Sequence, residues 1–214
     1  EDKALWHTPM MQQHLISRIG QRYTAQRTAD NLVTAARLLA LARSDADKDL
    51  LINGMEAGLK GNAVGNTPKT LQTELGKLWK NRPHTPKLIS FAARLGHPEA
   101  MQEAIARAKN PKTSATERRE LTQLLSERRG AGALKLLLEQ FENEKSGSRR
   151  IEVMSALQRY ENDSVAKALL ERYSTMNSRE KETAQNILSS RADWSVSFLN
   201  AVEKGSINRE DVRP

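Results

Sequence analysis

Two adjacent apolar residues followed by a third, three positions on, recur through the second half of this chain. Ala104-Ile105 with Ala108, Leu137-Leu138 with Phe141, Leu169-Leu170 with Tyr173, and Phe198-Leu199 with Val202 carry the pattern. The second members of the doublets are separated by 33, 32 and 29 residues. A period in this range, filled by two short helices per unit, predicts an α-solenoid. One unit cannot bury its own apolar face, so neighbouring units stack and share a core.

From Thr85 onward the pattern predicts helix pairs at 86–95 with 98–109, 114–129 with 131–143, 148–160 with 163–174, and 178–190 with 193–204. First helices place Ala92, Leu125, Leu157 and Leu188 at comparable positions. Short polar turns separate the partners: Gly96-His97-Pro98, Arg129-Gly130-Ala131, Glu161-Asn162-Asp163 and Arg191-Ala192-Asp193. Connections this short favour antiparallel neighbours. Pro98 suits a first turn, and Asp163 and Asp193 suit N-caps. Gly205-Ser206-Ile207-Asn208 ends the last full helix, and Asn208 can cap another.

The earlier part is less regular. A helix from about Thr8 to Tyr23 would align Met11, Leu15, Ile19 and Tyr23 on one face. A second, starting at Thr28 or Asp30, buries Leu32, Ala35, Ala36, Leu39 and Ala42. After Ser44-Asp45, a third carries Leu50, Leu51, Met55 and Leu59 and stops at Gly61. The loop Gly61-Asn-Ala-Val-Gly-Asn-Thr-Pro68 precedes a fourth helix with Leu71, Leu75, Leu78 and Trp79, broken at Asn81–Pro86. The reading is all-α, a HEAT-like α-solenoid of antiparallel helix pairs with about 12 helices. It has a less regular section at 1–82, tandem pairs at 83–205, and the start of a connecting helix or linker at 206–214, in one continuous array.

Composition agrees with helices. Hydrophobic residues make up 38% of the 214 and aromatics only 4%, so Leu, Ala, Ile and Met must build the core. No alternating β-branched run or hairpin signature occurs. The absence of cysteine excludes disulfides, thiolate zinc sites and covalent c-type haem within this stretch. No apolar run approaches the roughly 20 residues that span a bilayer. The chain opens at Glu1 without Met and stops at Pro214 after the opening of another helix, and is read as a piece of something longer.

The net charge of +8 is uneven: residues 1–150 hold 25 Lys/Arg against 16 Asp/Glu, and residues 151–214 hold 9 against 10. A basic surface invites an acidic partner, but a well-hydrated helical surface is the favoured account of it. Lys77 and Lys80 flank Trp79, while Arg128-Arg129 and Arg149-Arg150 occupy comparable points of adjacent repeats. Lys77, Lys80, Arg128, Arg129, Arg149 and Arg150 are therefore the candidate phosphate-tracking residues of a nucleic-acid-binding reading. Against it stand helix-end arginines suited to the macrodipole and a Trp79 suited to the core.

Other chemistry is thin. His7, His14, His84 and His97 form no set of three or four converging metal ligands and read as surface, cap or turn residues. No Gly-x-Ser-x-Gly elbow or phosphate-cradling loop occurs. Asp45, Asp47 and Asp49 crowd a helix start, where capping explains them. Gly54 and Gly58, four apart on a helix, admit a close neighbour. Trp194 covers the end of the array or faces a further domain. No catalytic, cofactor-binding or metal-binding residue is assigned, and the chain is not read as an enzyme.

Several stretches resemble one family. They are Thr8–Gln13, Ala35–Ala42, Leu50–Leu59 and the ending Phe198–Val212. Together they look like the HEAT-like helical region of large exported proteins of planctomycete and verrucomicrobial type, described as membrane-bound dehydrogenases or haem-binding proteins. In that family a sugar-dehydrogenase-like propeller precedes the helical region and a c-type cytochrome domain with Cys-x-x-Cys-His follows it. Neither occurs here, so no catalytic or haem-binding residue carries over. The resemblance implies a scaffold or spacer with no cofactor of its own, placed outside the cytoplasm, in the periplasm or cell envelope. Its expected partners are neighbouring domains or another protein, with nucleic acid as the alternative.

Overall fold

The computed structural model describes residues 5–61, 64–129 and 131–212. Parts of the expected loop (62–63), of one turn (130) and of the closing segment (213–214) lie outside the described residues. Among those described, the chain is all-α, with twelve α-helices and no strand. They are α1 (Ile16–Ala25), α2 (Ala29–Leu41), α3 (Asp45–Leu59), α4 (Lys69–Asn81), α5 (Pro86–Arg94) and α6 (Pro98–Lys109). The others are α7 (Ala115–Arg128), α8 (Ala131–Asn143), α9 (Gly147–Leu157), α10 (Asp163–Arg172), α11 (Ser178–Leu188) and α12 (Ala192–Glu203). No described helix is long and apolar enough to cross a membrane.

The chain divides into two compact units, Glu1–Arg128 and Arg129–Pro214. Within the first, α3 packs against α1 and α5, α5 against α7, α2 against α4, and α6 against α5 and α7. Within the second, α9 packs against α8 and α11, and α10 against α8 and α12. Most helices thus meet the helix two places on, and several also pack on an immediate neighbour, as α5 does on α6 and α8 on α9. The apolar stripes explain this. Ala92, Leu125, Leu157 and Leu188 are fully buried in α5, α7, α9 and α11. The first doublet residues Ala104, Leu137, Leu169 and Phe198 are buried in α6, α8, α10 and α12.

The stripe of the first helix lies elsewhere than expected. Met11 and Ile16 are buried, followed by Gly20 and Thr24, while Leu15 is 37% exposed. A π-helical turn over Met11–Leu15 is the cause. It adds one residue to the turn, so the buried face passes from Met11 to Ile16 and then continues four residues at a time. Leu15 and Ile19 rotate to the rim.

That shift sets small residues at the crossing of α1 and α3. The Thr24 hydroxyl donates to Met55 O at 2.9 Å and also faces Gly20 O. A Cβ on Gly54 would fall 1.8 Å from Ser17 O, and one on Gly58 would fall 2.3 Å from the Thr24 hydroxyl. The close approach expected of Gly54 and Gly58 is therefore met by α1.

Helix starts follow the capping residues in most places. Thr28, Ser44 and Thr85 each accept a backbone N–H with the side chain, and Asp47 completes a capping box with Ser44. His97 caps α6 ahead of Pro98. Two expected caps lie one or two residues early. Asn162, not Asp163, accepts from Ser164 N, and α12 starts after Arg191 with no side-chain cap, leaving Asp193 inside its first turn. An aspartate there still meets the positive end of the helix dipole.

Candidate functional site

The six basic candidates have different fates. In the first unit, Lys77 Nζ donates to Glu74 Oε1 at 2.7 Å, one turn away on α4, and remains largely exposed. Lys80 is exposed at the end of the same helix. Arg128 is half-buried and donates to the carbonyls of Val64 and Arg94 at 3.1 and 3.2 Å. Burial draws its guanidinium down from the ordinary value. In the second unit, Arg129 is exposed with a left-handed backbone, φ +50°. Arg149 Nε donates to Glu144 Oε2 at 3.2 Å. Arg150 donates to Glu180 Oε1 at 2.7 Å and to Glu144 O. Arg128 and Arg150 thus tie helices and loops together. Lys80 and Arg129 present exposed side chains.

The densest charge constellation falls on residues the sequence did not single out. Arg94, on α5, is 2% exposed and lies between two buried carboxylates. Its Nε donates to Glu56 Oε1 of α3 at 3.3 Å, and its Nη1 meets Glu127 of α7. Lys87 approaches Glu56 at 3.7 Å and Glu120 at 4.0 Å. Burial pulls the guanidinium down from its usual value, and the Glu56 charge and hydrogen bond pull it back up. Three successive helices of one layer are pinned by one cation. The signal was present in the pattern: Arg94 follows Phe91-Ala92-Ala93 and Glu56 follows Met55, each a charge set within an apolar stripe.

A second network surrounds His84. Its ring stacks on Trp79 at 3.7 Å between centroids, Nδ1 lies 2.6 Å from Glu103 Oε2, and Nε2 lies 3.0 Å from Trp79 O. Arg107 binds Glu103 Oε1, Glu117 Oε1 and His84 O. Trp79 is 7% exposed, as the core reading expected. His84 and His97 serve a turn and a cap, and His7 and His14 are exposed. Among the described residues no three His, Asp or Glu side chains are placed to share a metal ion.

Two clefts open on the units. One of about 280 Å³ lies by α2, α3 and α4 and is lined by Asp45, Lys48, Glu74, Lys77 and Arg82 among others. Its charges neutralise one another: Arg82 meets Asp45 and Asp49, and Lys48 meets Asp45. The other, about 390 Å³, lies between α10 and α12 and includes Lys167, Leu170, Trp194 and Ser197. Trp194 is buried, with Arg191 over its ring at 4.8 Å. Acid–base catalysis requires a carboxylate or imidazole within reach of a bound proton donor or acceptor. Here the buried carboxylates are engaged within the fold: Glu56, Glu127 and Glu180 by arginines, and Asp47 by Gln12 and Ser44.

No protein family, curated protein or solved structure matches the chain.

Proposed function

We propose that this chain is a non-catalytic helical-repeat scaffold: a HEAT-like α-solenoid that serves as a spacer within a larger exported protein. There it positions a dehydrogenase-like propeller and a c-type cytochrome domain, or binds a protein partner. The observation that carries the reading is the equivalence of the repeats. The same two positions of successive helix pairs are buried, Ala92, Leu125, Leu157 and Leu188 in one helix and Ala104, Leu137, Leu169 and Phe198 in the other. Packing of helices on those two places on, as α3 on α5 and α5 on α7 in the first unit and α8 on α10 and α10 on α12 in the second, is the arrangement by which repeats stack into arrays. The buried charges support the reading too, because Arg94, Arg128 and Arg150 bind neighbouring elements of the fold.

The test is an assay of the purified 214-residue chain beside the longer protein that contains it. The scaffold reading expects sugar-dehydrogenase turnover and haem absorbance only in the longer protein. Turnover by the chain alone overturns it. The nucleic-acid alternative rests on Lys77, Lys80, Arg128, Arg129, Arg149 and Arg150. It requires binding to single or double strands that weakens steeply with added salt, because displaced counterions drive the affinity.

A further inference from the structure

The apolar doublets expose their second residue to a graded degree. Ile105, Leu138 and Leu170 are half-buried, whereas Leu199 is 62% exposed. Leu170 shows what such a residue faces, because it lines the cleft that α10 shares with α12. Three positions before each second member stand Gln102, Lys135, Lys167 and Val196. The first three are exposed polar residues, but the last is a valine at 56% exposure. Val196 and Leu199 therefore form one apolar stripe on α12, three residues apart. A capping repeat carries a polar outer face. The outer face of α12 departs from this: it carries Val196 where the preceding repeats carry Gln102, Lys135 and Lys167, beside a Leu199 more exposed than its counterparts.

The residues after α12 repeat the start of a first helix. Asn177 caps α11, and Asn208, 31 positions later, accepts from Glu210 N at the head of the 3-10 turn Arg209–Asp211. Met176 and Ile207 are both buried just before these caps. Arg150 of α9 pairs with Glu180 at 2.7 Å, and Lys181 of α11 pairs with Asp211 at 2.7 Å, again 31 positions on. Gln185 of α11 also donates to Asp211 O. The turn Arg209–Asp211 thus sits on α11 as the first turn of α11 sits on α9.

We propose that the α12 face bearing Val196 and Leu199 is the docking surface for the second helix of a further helix pair of the same kind. That pair's first helix takes its opening turn from Arg209–Asp211. The inference rests on the repeat reading above and names the surface through which the array joins its neighbour. The occupant is an amphipathic helix that sets a large apolar residue and a small one where Trp194 and Ser197 stand against α10. The contact continues the α8, α10, α12 packing already present in the second unit.

The experiment extends the chain by one repeat copied from itself, residues 1–212 followed by 182–212, which keeps the 31-residue register. Amide hydrogen exchange is then compared across Val196–Glu203 with and without the extension. Docking slows exchange there about tenfold, adds helix by circular dichroism, and is reversed by Leu199→Lys in the extended chain. Unchanged exchange, or an extension that stays unfolded, overturns the proposal. In the 214-residue chain, Val196→Lys restores the residue of two preceding repeats and leaves the urea midpoint unchanged. A lowered midpoint would mean that the valine is already committed inside the fold. Concentration-dependent self-association abolished by Leu199→Lys would make a second copy the occupant and also overturn the proposal. None of these failures touches the scaffold reading, which is tested separately by turnover and by salt-sensitive nucleic-acid binding of the chain itself.

Discussion

Arg94 has two carboxylates for company and almost no water. A guanidinium loses much hydration on burial and recovers it only through well-placed partners, here Glu56 and Glu127. Removing the cation leaves Glu127 without its arginine and Glu56 with only the more distant Lys87 at 3.7 Å. Arg94→Met is expected to destabilise the chain by about 3–5 kcal/mol, read from urea unfolding, and adding Glu56→Gln with Glu127→Gln recovers most of the loss. A neighbouring arginine bears a different cost. Arg27 has a left-handed backbone, φ +55°, and its side chain donates to Gly58 O and Lys60 O at the end of α3. Those bonds satisfy carbonyls that the helix end leaves open. Neither role was legible in the sequence, because both depend on helices 31 or more positions apart. What the sequence did offer was an arginine set directly after the apolar run Phe91-Ala92-Ala93.

At the scale of elements, the crossing of α1 and α3 depends on glycine. The nearest atom to a Cβ on Gly54 is a backbone oxygen, Ser17 O, which cannot swing aside as a side-chain end would. Gly54→Ala is expected to cost about 3 kcal/mol or more in urea unfolding, since the helices must separate. Gly76 on α4 has open space around it, so Gly76→Ala gains about 0.5–1 kcal/mol from helix propensity and serves as the internal control. The glycine spacing on α3 announced a close neighbour, but not which one. The π turn at Met11–Leu15 lay beyond sequence reasoning, because a uniform 3.6-residue period assigns Leu15 and Ile19 to the buried face. Caps divide similarly. Ser44 was readable as a helix start, but its reciprocal bonds with Asp47 came only with the structure, and Asn162 and Asp163 are adjacent, equally able caps.

For the molecule as a whole, buried titratable groups set the pH limits of folding. Burial pushes the Tyr160 phenol up to about 12, against a smaller downward pull from Arg129. An unfolded tyrosine ionises near pH 10. The folded state therefore holds its proton longer, and stability falls as pH rises from about 10 to about 12. Burial pushes the Asp47 carboxyl up, but hydrogen bonds from Gln12 and Ser44 outweigh it and hold it below the usual carboxylate range. Its contribution is present above about pH 4 and is lost as pH falls further. Urea midpoints across pH should thus decline at both ends, and Tyr160→Phe should lessen the alkaline decline. Charge at this scale is also asymmetric: residues 1–128 hold 20 Lys/Arg against 13 Asp/Glu, and residues 129–214 hold 14 against 13. In the placements of Arg128 and Arg150, part of that excess is internal to the fold.

Periodicity, composition and punctuation determined by themselves that the chain is helical, where most helices lie, and, outside the first helix, most of the residues that face inward. These are local consequences of a 3.6-residue turn, an apolar stripe and capping side chains. Tertiary structure alone decided which charges are buried, which helix meets Gly54, and where one extra residue turns a helix face. Those outcomes depend on atoms brought together from distant parts of the chain. A sequence pattern records that a position should be covered, whereas only packing supplies what covers it.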